Sequence, residues 1–271
     1  MKAQTIKFKD CGIYYTIFQN ESKPTIVMIH SYASSGKIFD SQVLALKRLY
    51  QLIVVDLPGH GKSQYSKNVK INDMPEVIKL ILDRENIAKT HLIGVSEGAL
   101  VAQAFGQIFS NKILSAVVVS SFSIFHDSYK AFYESQFLTK LKLFFFWLFA
   151  FGKYKNYYVE KSALKLQAQT LFAQSMIGFS RRSVFVKKNL KRFYHLGEQK
   201  TKYPTYVVCG EFDLGIIKDA SLQYEQKVPL TTVEGYNDAK QIVFLDNPRL
   251  FNERLKTFFK SVDDLGETDG E

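Results

Sequence analysis

The sequence predicts an α/β protein, an eight-stranded and mostly parallel sheet with helices on both faces, interrupted by a basic, aromatic insert. Three observations predict it. Up to residue 122, short apolar runs rich in β-branched residues alternate with longer helical stretches. A basic and aromatic block then interrupts the alternation between residues 123 and 203, and strand and helix patterns resume after it.

In chain order, the first two strand candidates are Thr5 to Lys9 and Ile13 to Phe18. Thr25 to His30, Leu52 to Asp56, His91 to Val95 and Ile113 to Ser120 follow, each a nearly unbroken apolar run of the kind a strand buried on both faces requires. Beyond the insert, Tyr206 to Gly210 and Val228 to Glu234 bracket a helix around Ala220 to Gln226. Pro248 to Val262 reads as a closing helix, with Leu250, Phe251, Leu255, Phe258 and Phe259 on one face. These elements divide the chain into a core, 1–122 and 204–262, a helical insert, 123–203, and an acidic, frayed tail, 263–271.

With 271 residues, 46% of them hydrophobic and 23% charged, the chain can bury a full core, which excludes disordered, collagen-like and coiled-coil classes. Cys11 and Cys209 stand far apart and suit neither a disulfide framework nor a metal-ligand spacing, so no metal or organic cofactor is expected. A reducing, cytoplasmic compartment is the expectation, since residues 1–10 lack the apolar core of a signal peptide. The formal charge of +10 is concentrated: residues 123–203 hold 15 Lys or Arg against 4 Asp or Glu, and about half of all aromatic residues. No recognised module accompanies the charge, and nucleic acid is not an expected partner.

The loops after the strands carry the chemistry. Gly94-Val95-Ser96-Glu97-Gly98 joins a strand to the helical run from Ala99, and this is G-x-S-x-G in the context it needs. Small residues at both glycines permit a turn sharp enough to push Ser96 above the sheet edge, beside helix N–H groups that favour a developing oxyanion. The ordinary alternative is a serine that starts a helix. Two further loops read His30-Ser31-Tyr32-Ala33-Ser34-Ser35-Gly36 and Asp56-Leu57-Pro58-Gly59-His60-Gly61-Lys62-Ser63.

In order and spacing these three loops resemble the α/β-hydrolase superfamily, in particular its compact members with a helical cap: serine esterases, lactonases and proline iminopeptidase-like enzymes. The resemblance implies Ser96 as nucleophile and an oxyanion hole from the backbone N–H groups of Tyr32 and Glu97, with His30 and His60 holding loops. It also implies an acid after the next strand, which Gly210-Glu211-Phe212-Asp213 supplies as Asp213, and a histidine seven residues before the proline of the last helix. That proline is Pro248, and the residue seven before it is Gln241.

An amide cannot accept and return a proton near neutral pH, so Gln241 cannot serve as general base. Three explanations stand open: an inactivated base, a substitute base, for which His126 is the best placed histidine and Glu97 a weaker choice, or a shifted loop. The insert would roof an apolar pocket through Phe122, Phe144 and Trp147. Alternatively, its aromatic run together with Arg181, Arg182, Lys187, Lys188, Lys191 and Arg192 forms a weak membrane-surface contact. The expected function is hydrolysis of small apolar esters, lactones or amides through an acyl-enzyme on Ser96, impaired by Gln241. The rival is a non-catalytic ligand-binding or regulatory protein on the same fold.

Overall fold

The computed structural model describes residues 1–125, 137–187, 189–195 and 203–268. Its eight strands are β1 Lys2–Phe8, β2 Cys11–Phe18, β3 Thr25–Ile29, β4 Gln51–Val55, β5 Thr90–Val95, β6 Ile113–Val119, β7 Thr205–Gly210 and β8 Thr231–Tyr236. They form one sheet in the order β1-β2-β4-β3-β5-β6-β7-β8. β1 and β2 pair antiparallel, β2 joins β4 antiparallel, and every later pairing is parallel. The expected strands all form.

Period-two alternation along the central strands divides the core into two layers. Ile26, Met28, Leu52, Val54, Ile93 and Val95 pack on one face with helix α1, Asp40–Leu46, and with Phe251, Leu255 and Phe259 of the closing helix. Val27, Ile29, Ile53, Val55 and Leu92 pack on the other with helices α2, Met74–Arg84, and α3, Glu97–Ile108. Both faces are therefore covered, which is why these strands read as continuous apolar runs.

The described part of the insert is helical: α4 Phe137–Phe149, α5 Phe151–Ser162 and α6 Leu166–Ser175, followed by 3-10 turns at Arg181–Lys187 and Leu190–His195. It is stitched to the core loops. Ser35 Oγ donates to the Ser175 carbonyl at 2.6 Å, Ser183 Oγ to that of Gly59 at 2.6 Å, and Gly61 N–H to that of Ile177 at 2.8 Å. Tyr154, Phe172 and Phe179 of the insert join the same apolar cluster as Met28 and Val95.

Two expectations change. The eighth strand starts at Thr231 rather than Val228, because Val228 N–H still closes helix α7, Gly215–Lys227, and Leu230 turns the chain at φ 61°. The closing helix, α8, runs Pro248–Thr268 and takes in most of the tail expected to fray. Its extension is anchored at the sheet end away from Ser96: Asp263 accepts from Tyr50 Oη at 2.9 Å and lies 3.0 Å from His91 Nε2.

Candidate active site

Loops after β3, β4, β5, β7 and β8 meet at the carboxyl end of the parallel strands. Ser96 stands at the sharp turn between β5 and α3, with φ 52° and ψ −111°, a left-handed conformation costing a non-glycine residue about 1–3 kcal/mol. Its neighbours hold it there: Ser96 N–H donates to the Val119 carbonyl at 2.9 Å and Ser121 Oγ donates to the Ser96 carbonyl at 2.9 Å. A Cβ on Gly94 would strike the backbone of Gly98 and Ala99, and one on Gly98 the carbonyls of Ile29 and His30. Backbone packs on backbone here, which explains glycine at both positions.

Gln241 reaches the serine. Its Nε2 donates to Ser96 Oγ at 2.9 Å. The loop carrying it follows β8 and is fixed by the buried Asp246, whose carboxylate accepts N–H groups from Leu164 at 3.0 Å, Lys165 at 2.9 Å and Lys240 at 3.0 Å. Ile242 N–H donates to the Ser162 carbonyl at 2.8 Å, so the end of α5 and the Gln241 loop form one assembly.

Asp213 follows β7. Its Oδ1 accepts Leu214 N–H at 2.9 Å, and the Ser120 hydroxyl lies near enough to favour the charged form of the carboxyl. Burial raises this carboxyl above its ordinary value. Among the described residues no hydrogen bond links Asp213 to Gln241 or Ser96. The Gln241 amide contributes a donor to Ser96 and nothing to Asp213.

The two N–H groups expected to bind an oxyanion face a carboxylate of the protein itself. Glu97 Oε2 accepts Tyr32 N–H at 3.2 Å, and the residue's own N–H adds to the same stabilisation. Oε1 pairs with Lys187 Nζ at 2.5 Å. The Glu97 side chain is 13% exposed, and burial alone would raise its carboxyl, but the Lys187 ammonium and these N–H groups hold it at about 2. The Lys187 ammonium and the N–H groups thus favour the ionised form of Glu97. Lys187, read from sequence as part of a surface patch, instead lies against Glu97 and 4.2 Å from the centre of the Tyr32 ring.

His30 and His60 are fully buried and hold loops. His30 Nε2 accepts Leu57 N–H at 2.9 Å, leaving Nδ1 to donate to the Ser31 carbonyl at 2.7 Å. His60 Nε2 accepts Ala33 N–H at 3.3 Å, with Nδ1 donating to the Pro58 carbonyl at 2.9 Å. Burial lowers the first to about 4 and the second to about 3. Asp56 completes the brace by accepting N–H groups of Gly36 and Lys62, each at 2.8 Å. His126 lies outside the described residues.

The aromatic lining differs from expectation. Phe144 is 51% exposed and its ring contacts are Phe145 and Trp147, because the helical period turns it to the outer side of α4. Trp147 packs at the core edge and donates Nε1 to the Arg181 carbonyl at 3.0 Å; Phe122 packs toward the α3 face. The rings beside Glu97 come from α5 and the turn after α6. Tyr32 lies 5.1 Å from Tyr158 and 5.2 Å from Phe179, and its hydroxyl is 3.1 Å from that of Tyr154. Lys161, at the end of α5, is within electrostatic reach of Glu97 and Asp213, and burial lowers its pKa. Of these, only a tyrosine-rich run at 154–158 was visible in sequence, with nothing to tie it to the elbow. Among the described residues no three His, Cys, Asp or Glu side chains gather as a metal-binding group.

This architecture, with a serine elbow after β5, is the α/β-hydrolase fold. Residues 24–156 match the family described as alpha/beta hydrolase fold. The chain is similar to 3-oxoadipate enol-lactonase 1 of Acinetobacter baylyi (strain ATCC 33305 / BD413 / ADP1), 34% identical over 101 residues, which are 37% of this chain and 38% of that protein. It is also similar to the pimeloyl-[acyl-carrier protein] methyl ester esterase of Wigglesworthia glossinidia brevipalpis, at 25% identity over 87% of this chain and 93% of the esterase. Among solved structures, the enol-lactonase from Burkholderia xenovorans LB400 superposes with a TM-score of 0.80 at 15% identity, covering 95% of this chain and 100% of that one. Esterases and lactonases thus share its fold or parts of its sequence.

Proposed function

We propose that the chain is a serine hydrolase of small, mainly apolar esters, lactones or amides whose turnover is impaired because Gln241 stands in the place of the catalytic imidazole. The carrying observation is the 2.9 Å hydrogen bond from Gln241 Nε2 to Ser96 Oγ. Ser96 would attack the carbonyl, the N–H groups of Tyr32 and Glu97 would hold the oxyanion once the Glu97 carboxylate is displaced, and Asp213 would orient an imidazole if one were supplied. A missing triad base typically lowers turnover by about 10⁴ to 10⁶. The similarity to an enol-lactonase and a methyl ester esterase supports the substrate class. The expected reducing, cytoplasmic setting belongs to the same proposal and is compatible with two free, buried cysteines.

A second reading, a ligand-binding protein without turnover, is favoured by one feature, the Glu97 carboxylate on Tyr32 N–H. One experiment separates them: p-nitrophenyl ester hydrolysis by the natural chain, by Gln241→His and by Gln241→His with Ser96→Ala. The hydrolase reading expects Gln241→His to gain roughly 10²-fold or more and Ser96→Ala to abolish the gain. No gain from a folded Gln241→His protein that still binds an apolar ester analogue would establish the binding reading instead.

A further inference from the structure

From Leu143 to Phe149 the residues of helix α4 are all apolar, so that stretch is apolar on every side. Leu143, Phe146 and Trp147 pack against the core, as one face of a covering helix should. The opposite side carries Leu138, Leu141, Phe145, Leu148 and Phe149, all exposed, with Leu138 at 77% and Phe149 at 74%. A helix with apolar residues on its solvent side forgoes the burial that would favour such a sequence, unless something else covers it. No helix among the described residues is long and apolar enough to cross a membrane.

In sequence the insert is strongly basic: residues 137–195 hold twelve Lys or Arg and a single acidic residue, Glu160, although Lys187 is paired with Glu97 and Lys165 donates to the Asp246 carbonyl. Several of the cations lie beside α4. Lys142 and Lys153 place their ammonium groups 5.5 Å and 6.0 Å from the Phe146 ring centre. Arg181 donates Nε to the Trp147 carbonyl at 2.8 Å, and with Arg182, Phe151, Phe179 and Ser180 it lines an open groove next to the helix. Long basic side chains whose stems run along apolar surface are the arrangement found where protein meets the lipid headgroup layer.

We propose that the outer face of α4 and its flanking cations dock this protein on an anionic lipid surface. Leu138, Leu141, Phe145, Leu148 and Phe149 enter the acyl boundary, and Lys142, Lys153, Arg181 and Arg182 meet headgroup phosphates. The charge selects this occupant over a second copy of the chain. A dimer through this face would bring two cationic rims together, whereas an anionic bilayer complements the cations and the apolar stripe at once.

The test is co-sedimentation of the full chain with vesicles of phosphatidylcholine alone and with vesicles containing equal parts phosphatidylglycerol, at low and high salt. Binding to the anionic vesicles is expected, weakening with salt, and none to phosphatidylcholine alone. Phe145→Ser with Phe149→Ser should lower the bound fraction about tenfold, and so should Lys142→Glu with Arg182→Glu. Leu138→Glu is a second probe of the apolar face at a position with little packing to lose, and thermal melting checks that each variant is folded. Absence of binding to anionic vesicles at low salt overturns the proposal, as does binding that all the folded apolar-face variants retain. A dimer in solution that Phe145→Ser with Phe149→Ser dissociates, without vesicle binding, assigns the face to a second copy and equally overturns it.

Discussion

Around Ser96, two neighbouring side chains hold groups to which the proposed reaction assigns work. Gln241 donates to the hydroxyl oxygen, and the Glu97 carboxylate takes the N–H of Tyr32. The second contact is removable without touching the backbone donor of residue 97. In a Gln241→His background, Glu97→Ala should therefore raise kcat for p-nitrophenyl acetate about tenfold or more, the scale of one oxyanion donor regained. An unchanged kcat would mean that the carboxylate leaves the donor freely when substrate arrives. The elbow motif pointed to Ser96 and the family resemblance to Asp213 and Gln241; the structure brings Gln241 onto Ser96 and, among the described residues, gives Asp213 a hydrogen bond to neither. The sequence carried no sign of Glu97 bound to Lys187, since that pairing requires residues ninety positions apart to be brought together by the insert.

Among the elements, the Gln241 loop depends most on one residue. Asp246 gathers N–H groups from Leu164, Lys165 and Lys240, tying the end of the insert's helices to the loop after β8. Asp246→Ala strands these donors and should cost about 3 kcal/mol, lowering Tm on the order of 5–10 °C, with a smaller loss for Asp246→Asn, which keeps one acceptor oxygen. Differential scanning calorimetry of the three proteins would measure this, and a Tm within a degree or so of the natural chain for Asp246→Ala would refute the role. Helix α4 shows the limit of pattern reading at this scale. Its composition announced an apolar helix, yet the unbroken apolar run from Leu143 to Phe149 gives no phase from which to tell the face that packs from the face that does not. That is why Phe144 was expected inside and stands outside. The sheet was legible for the opposite reason: strands buried on both faces leave long runs that only their ends, such as the turn at Leu230, can blur.

For the molecule as a whole, the buried His30 and His60 pull stability down in acid, opposed by Asp56 and Asp213, whose carboxyls burial raises. Unfolded histidine titrates near about 6.5, whereas the fold holds His30 down to about 4 and His60 to about 3. Between those values the unfolded chain binds protons that the folded chain refuses, so stability falls as pH drops from about 6.5 toward 4, by a total on the order of a few kcal/mol. Glu97 adds a separate window: its carboxyl, depressed to about 2, contributes stability above the ordinary carboxyl range that is lost as pH falls through its folded value. Chemical denaturation from pH 7 to 4 should show this decline, and His60→Asn should flatten it, although the variant starts from lower stability. An equal slope in the variant would place the acid sensitivity elsewhere.

The contact between Gln241 and Ser96 also has a meaning in the genetic code. Glutamine and histidine codons share their first two bases and differ only in the third. If the function proposed above holds, the nucleophile turn, the orienting acid and the loop that would present the imidazole already stand assembled around an amide. The distance from an impaired hydrolase to an active one is then a single nucleotide, and selection for ester hydrolysis from a randomly mutated gene would meet that change among its first solutions.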